Sequence, residues 1–296
     1  MDTINKQALM VYNPFAGKKG THKDFPMLVK KLAEIGYRLD IVQPTNFKNP
    51  DHPIKKACKY KWDAIFIAGG DGTINQTLQL IAEEEYRPPI GVFPFGTSNE
   101  FAKYIGASCN SKALSIIERG QTKPIDIGKI GNRYFANIAA AGWLTDITYK
   151  TSPALKSSFG ELAYGLYFLK TFLLTKQSAA ISIEISPDEV ISDVTLFLIM
   201  NGNSVGPFER LIKNSTDNDG SFHLLTMKKS NRLHLFFSLL AIMLNIAEHP
   251  SIIRYTKIKT GCFTIPDPIA LNLDGEQAFA NSLDFTVMPQ HLTVFN

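Results

Sequence analysis

The first 120 residues alternate short apolar runs with stretches of helical spacing. Ala8-Leu9-Met10-Val11-Tyr12 predicts a strand that stops at Asn13-Pro14 and Gly17. Phe25, Leu28, Val29, Leu32 and Ile35 then fall on one side of a helix closed by Gly36. Tyr37 to Val42 reads as a second strand and Asp51 to Tyr60 as a short helix. The apolar run Ala64 to Ala68 is a third, buried strand, after which Ile74, Leu78 and Ile81 resume helical spacing. Ile90 to Pro94 predicts a fourth strand, Ser98 to Ile105 a helix, and Asn110 to Arg119 another helix ended by Gly120. Such alternation implies a mostly parallel sheet covered on both faces.

Beyond about residue 120 the pattern changes to strands. Pro124 to Ile130 and Arg133 to Ala139 flank Gly131-Asn132, a hairpin signal. A helical segment, Ser157 to Thr175, is rich in Leu, Tyr and Phe. Further strands are expected at Ala179 to Ile185, Ile191 to Met200, Ser221 to Met227, Ile258 to Ile265, Ile269 to Leu273, Leu283 to Met288 and Leu292 to Phe295. Antiparallel strands of this length suggest a β-sandwich. No internal repeat or low-complexity linker separates the two halves.

Composition changes this picture little. The 296 residues are 45% hydrophobic and 20% charged, enough for one large domain or two ordinary ones. Cys58, Cys109 and Cys262 are far apart and read as buried thiols of a reducing compartment. No signal peptide is expected near Asp2 and Lys6. The longest apolar run, Leu233 to Ala247, is too short to span a bilayer; it suits a buried amphipathic helix or one resting on a membrane surface. The net charge of +4 is mildly basic. Three lysine clusters (Lys18, Lys19 and Lys23; Lys55, Lys56, Lys59 and Lys61; Lys228 and Lys229 with Arg232) are solvated faces or sites for ATP or anionic lipid. No nucleic-acid module is present, and nucleic acid is set aside as a partner.

The candidate chemistry lies where strands end. Ligands of parallel α/β sheets bind beyond the carboxyl ends of the strands. Asn13-Pro14-Phe15-Ala16-Gly17, Gly69-Gly70-Asp71-Gly72-Thr73 and Phe95-Gly96-Thr97-Ser98-Asn99-Glu100 all follow strands and gather on one edge. Glycines admit a bulky ligand, and loop N–H groups with a helix N-terminus favour an anion such as phosphate. Asp71 repels a bare phosphate, so Mg²⁺ is expected between them. The loop has neither the P-loop spacing with its lysine nor the dinucleotide fingerprint. Thr97 and Ser98 have an ordinary alternative role as helix caps. Asp126 sits between apolar residues; Asp217 and Asp219 bracket a turn ending in Gly220; Asp274-Gly275-Glu276 follows an apolar strand. Each is individually a common turn residue. Together they supply more carboxylates at loop ends than turns require.

The glycine loop resembles that shared by diacylglycerol, sphingosine and NAD kinases and phosphofructokinases. The ordered set is more specific. Tyr12 to Lys18, Gly69 to Asn75, Phe93 to Ala102, Asp126-Ile127-Gly128-Lys129, Asn218-Asp219-Gly220 and Leu273-Asp274-Gly275-Glu276 together resemble the soluble bacterial diacylglycerol kinase and lipid kinase family, over essentially the whole chain. The resemblance implies an N-terminal three-layer α/β nucleotide-binding domain, residues 1–128 with about 288–296, and a C-terminal antiparallel β-sandwich lipid domain, residues 129–287. It places the active site in the cleft between them. It implies ATP-dependent phosphorylation of a lipid hydroxyl, with ATP held by Asn13, Pro14, Phe15, Ala16 and Gly17, by Gly70, Asp71, Gly72, Thr73, Ile74, Asn75 and Gln76, by Thr97, and less securely by Thr45. Glu276 matches the proton acceptor, and Asp71 the acid tied to the catalytic Mg²⁺. Asp126 and Asp219 match an acidic and water network, to which Glu100 and Asp274 are added. Thr216, Asp219 and Ser221 match the holders of a structural Mg²⁺.

Two departures stand out. Glu100 replaces the Asp common in relatives, and Ala139 to Trp143 carries fewer glycines and a bulky Trp143, which bears on the acceptor. The implied setting is cytoplasmic, peripheral at the inner membrane face, with a transient membrane surface and a homodimer as possible partners. Competing readings are an NAD kinase-like enzyme, a kinase of another lipid such as a sphingoid base or polyprenol, and a non-enzymatic lipid carrier that retains the loop.

Overall fold

A computed structural model of the chain describes residues 6–17, 21–45, 49, 51–142, 180–201, 219–231, 233–234, 237–238 and 252–296. The expected helix at Ser157 to Thr175, most of the run from Leu233 to Ala247, and Lys18, Lys19, Trp143, Thr216 and Asn218 lie outside the described residues. The chain divides into two compact units. The first comprises Met1–Ile127, Arg133–Ala136 and Met288–Asn296; the second comprises Gly128–Asn132 and Asn137–Val287.

In the first unit, strand β1 (Lys6–Tyr12) lies parallel to and between β2 (Tyr37–Val42) and β3 (Ala64–Gly69), and β3 pairs in parallel with β4 (Ile90–Pro94). Every residue of β3 and β4 is buried, as expected for central parallel strands covered on both faces. Strand β2 is at an edge, and its Ile41 is exposed. Helix α1 (Phe25–Glu34) packs on β2 and touches α5 (Asn110–Arg119), which packs on β4. Helix α2 (Pro53–Lys59) packs on β1 and touches α3 (Asp71–Ala82), which packs on β3. Right-handed crossovers require this division: the chain moves one way across the sheet through α1 and the other way through α2 and α3. The core between the layers is built from Leu9, Val11, Phe66, Ile67, Phe93 and their neighbours.

The second unit is rich in antiparallel strands. Strand β7 (Ile138–Gly142) pairs with β9 (Glu189–Met200) and β12 (Thr260–Leu273), and β8 (Ile181–Ser186) pairs with the same two. Strand β10 (Phe222–Lys228) lies between β9 and β11 (Ile253–Ile258), and β12 pairs with β13 (Glu276–Phe295). The α/β architecture with a β-rich second half agrees with the expected fold class.

Several boundaries differ from expectation for local reasons. The second arm of the hairpin formed with β5 (Thr122–Ile130) was expected to run from Arg133 to Ala139, but it divides into β6 (Arg133–Phe135) and β7. Between them the N–H groups of Asn137 and Ile138 donate to Asp274 Oδ1 at 2.9 and 2.8 Å, which takes Asn137 out of a strand ladder. Strand β12 is continuous where two strands were expected, with a register shift between Thr264 and Ile269. Pro266 and Pro268 fall there and have no N–H to give. Strand β13 is one 20-residue strand rather than two short ones, and β11 was not anticipated. The helix after β4 is α4 (Glu100–Tyr104), shorter than Ser98 to Ile105. Cys58 is buried as expected, but Cys109 is exposed because it stands at the N-cap of α5. No described helix is long and apolar enough to cross a membrane.

Candidate active site

Three loops leave the carboxyl ends of β1, β3 and β4, and specific contacts bind them to one another. The first, Asn13 to Gly17, turns on its own asparagine: Asn13 Oδ1 accepts from Phe15 N–H at 3.0 Å, and Gly17 has φ of +69°. Asn13 Nδ2 donates to Thr73 Oγ1 at 2.9 Å, tying this loop to the first turn of α3. Phe15 is 88% exposed at the loop's tip, so it contributes nothing to the core.

The central loop starts α3. Gly70 is its extended N-cap, and Asp71, Gly72 and Thr73 form the first turn, whose N–H groups have no partner within the helix. Gly69 must lack a side chain, because a Cβ there would sit 2.7 Å from Thr73 Cβ. Ile74 N–H is already bonded to Gly70 O at 3.1 Å, and the side chains of Ile74 and Asn75 are buried on the inner face of α3. Gln76 is exposed. Of the α3 residues expected at a nucleotide, Gly70 to Thr73 therefore present backbone donors, whereas Ile74 and Asn75 anchor the helix.

The third loop presses against the second. Phe95 N–H donates to Gly69 O at 3.0 Å, and a Cβ on Gly96 would lie 2.6 Å from Gly70 Cα. Asn99 holds Gly96 from both sides: its Oδ1 accepts from Gly96 N–H and its Nδ2 donates to Gly96 O, each at 2.8 Å. To do so Asn99 adopts φ of +52°, a conformation Asn tolerates better than other non-glycine residues. It is also the residue that precedes α4, so neither Thr97 nor Ser98, both exposed, caps that helix.

Asp71 lies at the junction. Its Oδ1 accepts from Phe101 N–H at 3.4 Å. Burial pushes its carboxyl above the usual range; the N–H groups of Phe101, Asn99 and Glu100 pull it down, and the Glu100 charge pushes it up. Glu100 itself is exposed and paired with Lys103 at 3.0 Å. Asp126, on β5, is 1% exposed and accepts from Gln290 N–H at 2.7 Å, closing the return of β13 into this unit. Thr45 is exposed after β2, and its N–H is bonded to Gln43 O at 2.8 Å. None of its described contacts reaches the three loops.

The second unit holds the remaining candidates. Asp274 and Gly275 have φ of +51° and +93°, the left-handed pair that an Asp-Gly hairpin turn needs. Asp274 is engaged with the backbone of Asn137 and Ile138, while Glu276, half-buried, follows as the first residue of β13. Asp219 is engaged on both oxygens: Oδ1 accepts from Ser221 N–H at 3.0 Å and from its hydroxyl at 2.5 Å, and Oδ2 pairs with Lys257 at 2.7 Å.

Among the described residues no three acidic, His or Cys side chains converge as a preformed metal site. Mg²⁺ usually takes one or two carboxylates and completes its shell with water and phosphate. Asp71 fits that demand, since a cation beside it would offset the burial that disfavours its charge. At the Asp219 turn the carboxylate faces the Lys257 ammonium and the Ser221 hydroxyl, while Thr216, the third residue expected at a second ion, lies outside the described residues. The lysine cluster of α2 lines a hollow of about 480 Å³ together with Asp51, Glu84 and Glu85, so it is not a purely cationic face.

One residue of this site was missed by sequence reasoning. His22 lies in a single 3₁₀ turn (Thr21–Asp24) between the first loop and α1, and its Nε2 is 2.8 Å from Ala16 O. A lone histidine five residues beyond a glycine gives no pattern to find.

The sequence profile of the diacylglycerol kinase catalytic domain matches residues 7–130. A diacylglycerol kinase of Bacillus subtilis (strain 168) is 35% identical over 295 residues, covering 98% of this chain and 96% of the relative. One from Staphylococcus epidermidis (strain ATCC 12228) is 33% identical over 296 residues, covering 99% and 92%. The crystal structure of a diacylglycerol kinase from Bacillus anthracis str. Sterne superposes with a TM-score of 0.71 at 22% identity, covering 98% of this chain and 96% of that one.

Proposed function

The chain belongs to the diacylglycerol kinase family and is a kinase, and from that premise we propose that it transfers the γ-phosphate of ATP to a lipid hydroxyl, with diacylglycerol as acceptor and phosphatidic acid as product. The observation that carries this reading is the joining of the three strand-end loops through the Asn13–Thr73, Phe95–Gly69 and Phe101–Asp71 hydrogen bonds and the close packing of Gly96 on Gly70. It leaves a glycine-lined edge of backbone donors with one half-buried carboxylate. Phosphoryl transfer asks the protein for a cradle, charge neutralisation and an oriented acceptor, and little else.

In this reading the first unit binds ATP. Asn13 to Gly17, the N–H groups of Gly70 to Thr73, and Thr97 receive the nucleotide, and Asp71 holds Mg²⁺. That ion, when bound, offsets the charge of the phosphates. The second unit takes the lipid. Glu276 accepts the proton of the lipid hydroxyl; the oxygen forms a bond to the γ-phosphorus; the bond from that phosphorus to the bridging oxygen breaks, and ADP leaves with the electron pair. Asp126, Asp274 and Asp219 keep structural roles that position backbone. The lipid resides in a membrane, so the enzyme acts at its cytoplasmic face as a peripheral visitor.

The test is phosphate transfer from radiolabelled ATP and Mg²⁺ to diacylglycerol micelles, with NAD and a sphingoid base as parallel acceptors. Label in phosphatidic acid is expected. Label in NAD alone, or ATP binding with no transfer to any lipid, would replace this reading with the phosphotransferase or carrier alternatives.

A further inference from the structure

We propose that His22 is a positioning residue for the nucleotide, holding the first loop in register with the third. The imidazole touches both. Its Nε2 is 2.8 Å from Ala16 O, and since a carbonyl only accepts, the ring donates from Nε2. Its face stacks on Phe95, with centroids 5.1 Å apart and planes 4° apart. Phe95 is completely buried, opens the third loop and is pinned by its N–H to Gly69 O. The ring edge meets Tyr12, the last residue of β1, at 5.7 Å and 68°, and Tyr12 stacks on Phe25 of α1.

The other nitrogen makes the case. His22 Nδ1 is buried and has no hydrogen-bond partner among the described residues. An unpaired buried polar atom is destabilising, so packing alone would be served better by an apolar ring. Here the unpaired atom persists on a ring whose other nitrogen grips the nucleotide loop. A phenylalanine would keep the stack and lose the grip. A glutamine would reach Ala16 O and lose the stack. Of the three, histidine alone does both, coupling the Ala16 carbonyl to Phe95. Fixing that carbonyl fixes the orientation of the neighbouring amides, and with it the backbone donors of Asn13 to Gly17.

This proposal rests on the reading that the loops hold ATP, so the test begins with the wild type. Full-length wild type, His22→Phe and His22→Gln are titrated with a fluorescent ATP analogue and Mg²⁺. Their KM and kcat are measured separately for ATP and for diacylglycerol micelles, and their melting temperatures are recorded. His22→Phe is expected to raise the Kd and the KM for ATP about 5- to 10-fold, the worth of one hydrogen bond. Its kcat at saturating ATP and KM for lipid stay near wild type. His22→Gln is expected to raise the KM for ATP by a smaller factor. A His22→Phe variant that binds ATP like the wild type, or that loses ATP and lipid affinity alike, overturns the proposal. If that variant does not fold, His22→Gln decides: an ATP KM unmoved from wild type overturns the proposal, and a rise confined to ATP upholds it. A wild type that binds no ATP overturns the functional reading itself, a different failure from variants that match a competent wild type.

Discussion

Gly96→Ala tests the interlock of the second and third loops with the least chemical change. A methyl group at this position would lie 2.6 Å from Gly70 Cα and 2.7 Å from Asn99 Oδ1. Carbon atoms in ordinary contact are about 3.5–4.0 Å apart, so one loop must move by roughly 1 Å. Gly70 cannot retreat easily, because it caps α3 and accepts Ile74 N–H at 3.1 Å. Asn99 cannot retreat without breaking its two 2.8 Å bonds to Gly96. Overpacking of this kind costs about 1–3 kcal/mol. With about 2.1 cal/mol/K of unfolding entropy per residue, 1 kcal/mol is worth somewhat under about 2 °C in a chain this long, so a melting point lower by about 3–4 °C is expected for a cost near the middle of that range. A misplacement of about 1 Å at a reacting group lowers rate by roughly 10²-fold, so kcat/KM for ATP should fall by one to two decades. The control is Gly106→Ala. There φ is +83° and the added methyl meets only Ile116 Cδ1 at 3.8 Å, so the strain is in the backbone and remote from the loops. It should lower the melting point comparably, by about 1–2 kcal/mol of left-handed strain, while sparing the KM for ATP. Kinase assays with varied ATP and thermal melts of both variants decide the matter. Wild-type ATP kinetics in Gly96→Ala, or equal loss in Gly106→Ala, would refute the reasoning.

The remaining predictions concern charge and thiols. Asp71 has a carboxyl raised by burial, so the folded state binds its proton more tightly than the unfolded chain does, and stability falls as pH rises from the ordinary carboxylate value through the raised one. Asp71→Asn should therefore raise the melting point of the ligand-free protein at pH 7, with a smaller gain at about pH 4, near the ordinary Asp value, and should lose Mg²⁺-dependent activity; a lower melting point at pH 7 would contradict the burial argument. Glu276→Gln should leave ATP binding intact and reduce turnover by about 10²–10⁴, the range for losing a general base, and near-normal turnover would remove Glu276 from that role. Cys109, exposed and lowered first by its Ser111 contact and then by the N–H of Lys112, should alkylate first at neutral pH. Cys58, whose thiol burial pushes up to about 12, should react only on unfolding; peptide mapping after timed iodoacetamide treatment distinguishes the two.

Legibility followed the range of the forces involved. The parallel strands and their helices were readable because both faces of β3 and β4 are buried, which leaves uninterrupted apolar runs. The three loops were readable because close approach admits only glycine, as Gly69, Gly70 and Gly96 illustrate. What escaped depended on partners distant in sequence. The break between β6 and β7 is set by Asp274, some 136 residues away. Strand β11 fully buries only Ile258 and exists through its pairing with β10, so periodicity had little to report. Carboxylates were legible as unusual but not as different. Asp274 and Asp126 stabilise backbone, Glu100 pairs with its own helix neighbour, and Asp219 meets Lys257.

That sorting of carboxylates carries the chemical argument further than the motifs do. A carboxylate that accepts backbone N–H bonds, or that faces an ammonium, is fixed in place by those contacts. Asp126 and Asp274 accept such backbone bonds, and Asp219 faces the Lys257 ammonium. Asp71 is different in degree: its N–H contacts are outweighed by burial, so a cation beside it gains more than one beside an already neutralised acid. Glu276 is different in kind, since it is half-buried at a strand start and no described group engages its carboxylate. The proposed division of labour, in which one acid meets the metal and another takes the proton, agrees with the bonds each makes. It would fail if Asp126→Asn abolished turnover while leaving the melting point unchanged, for then a carboxylate assigned to the backbone would be acting on the substrate.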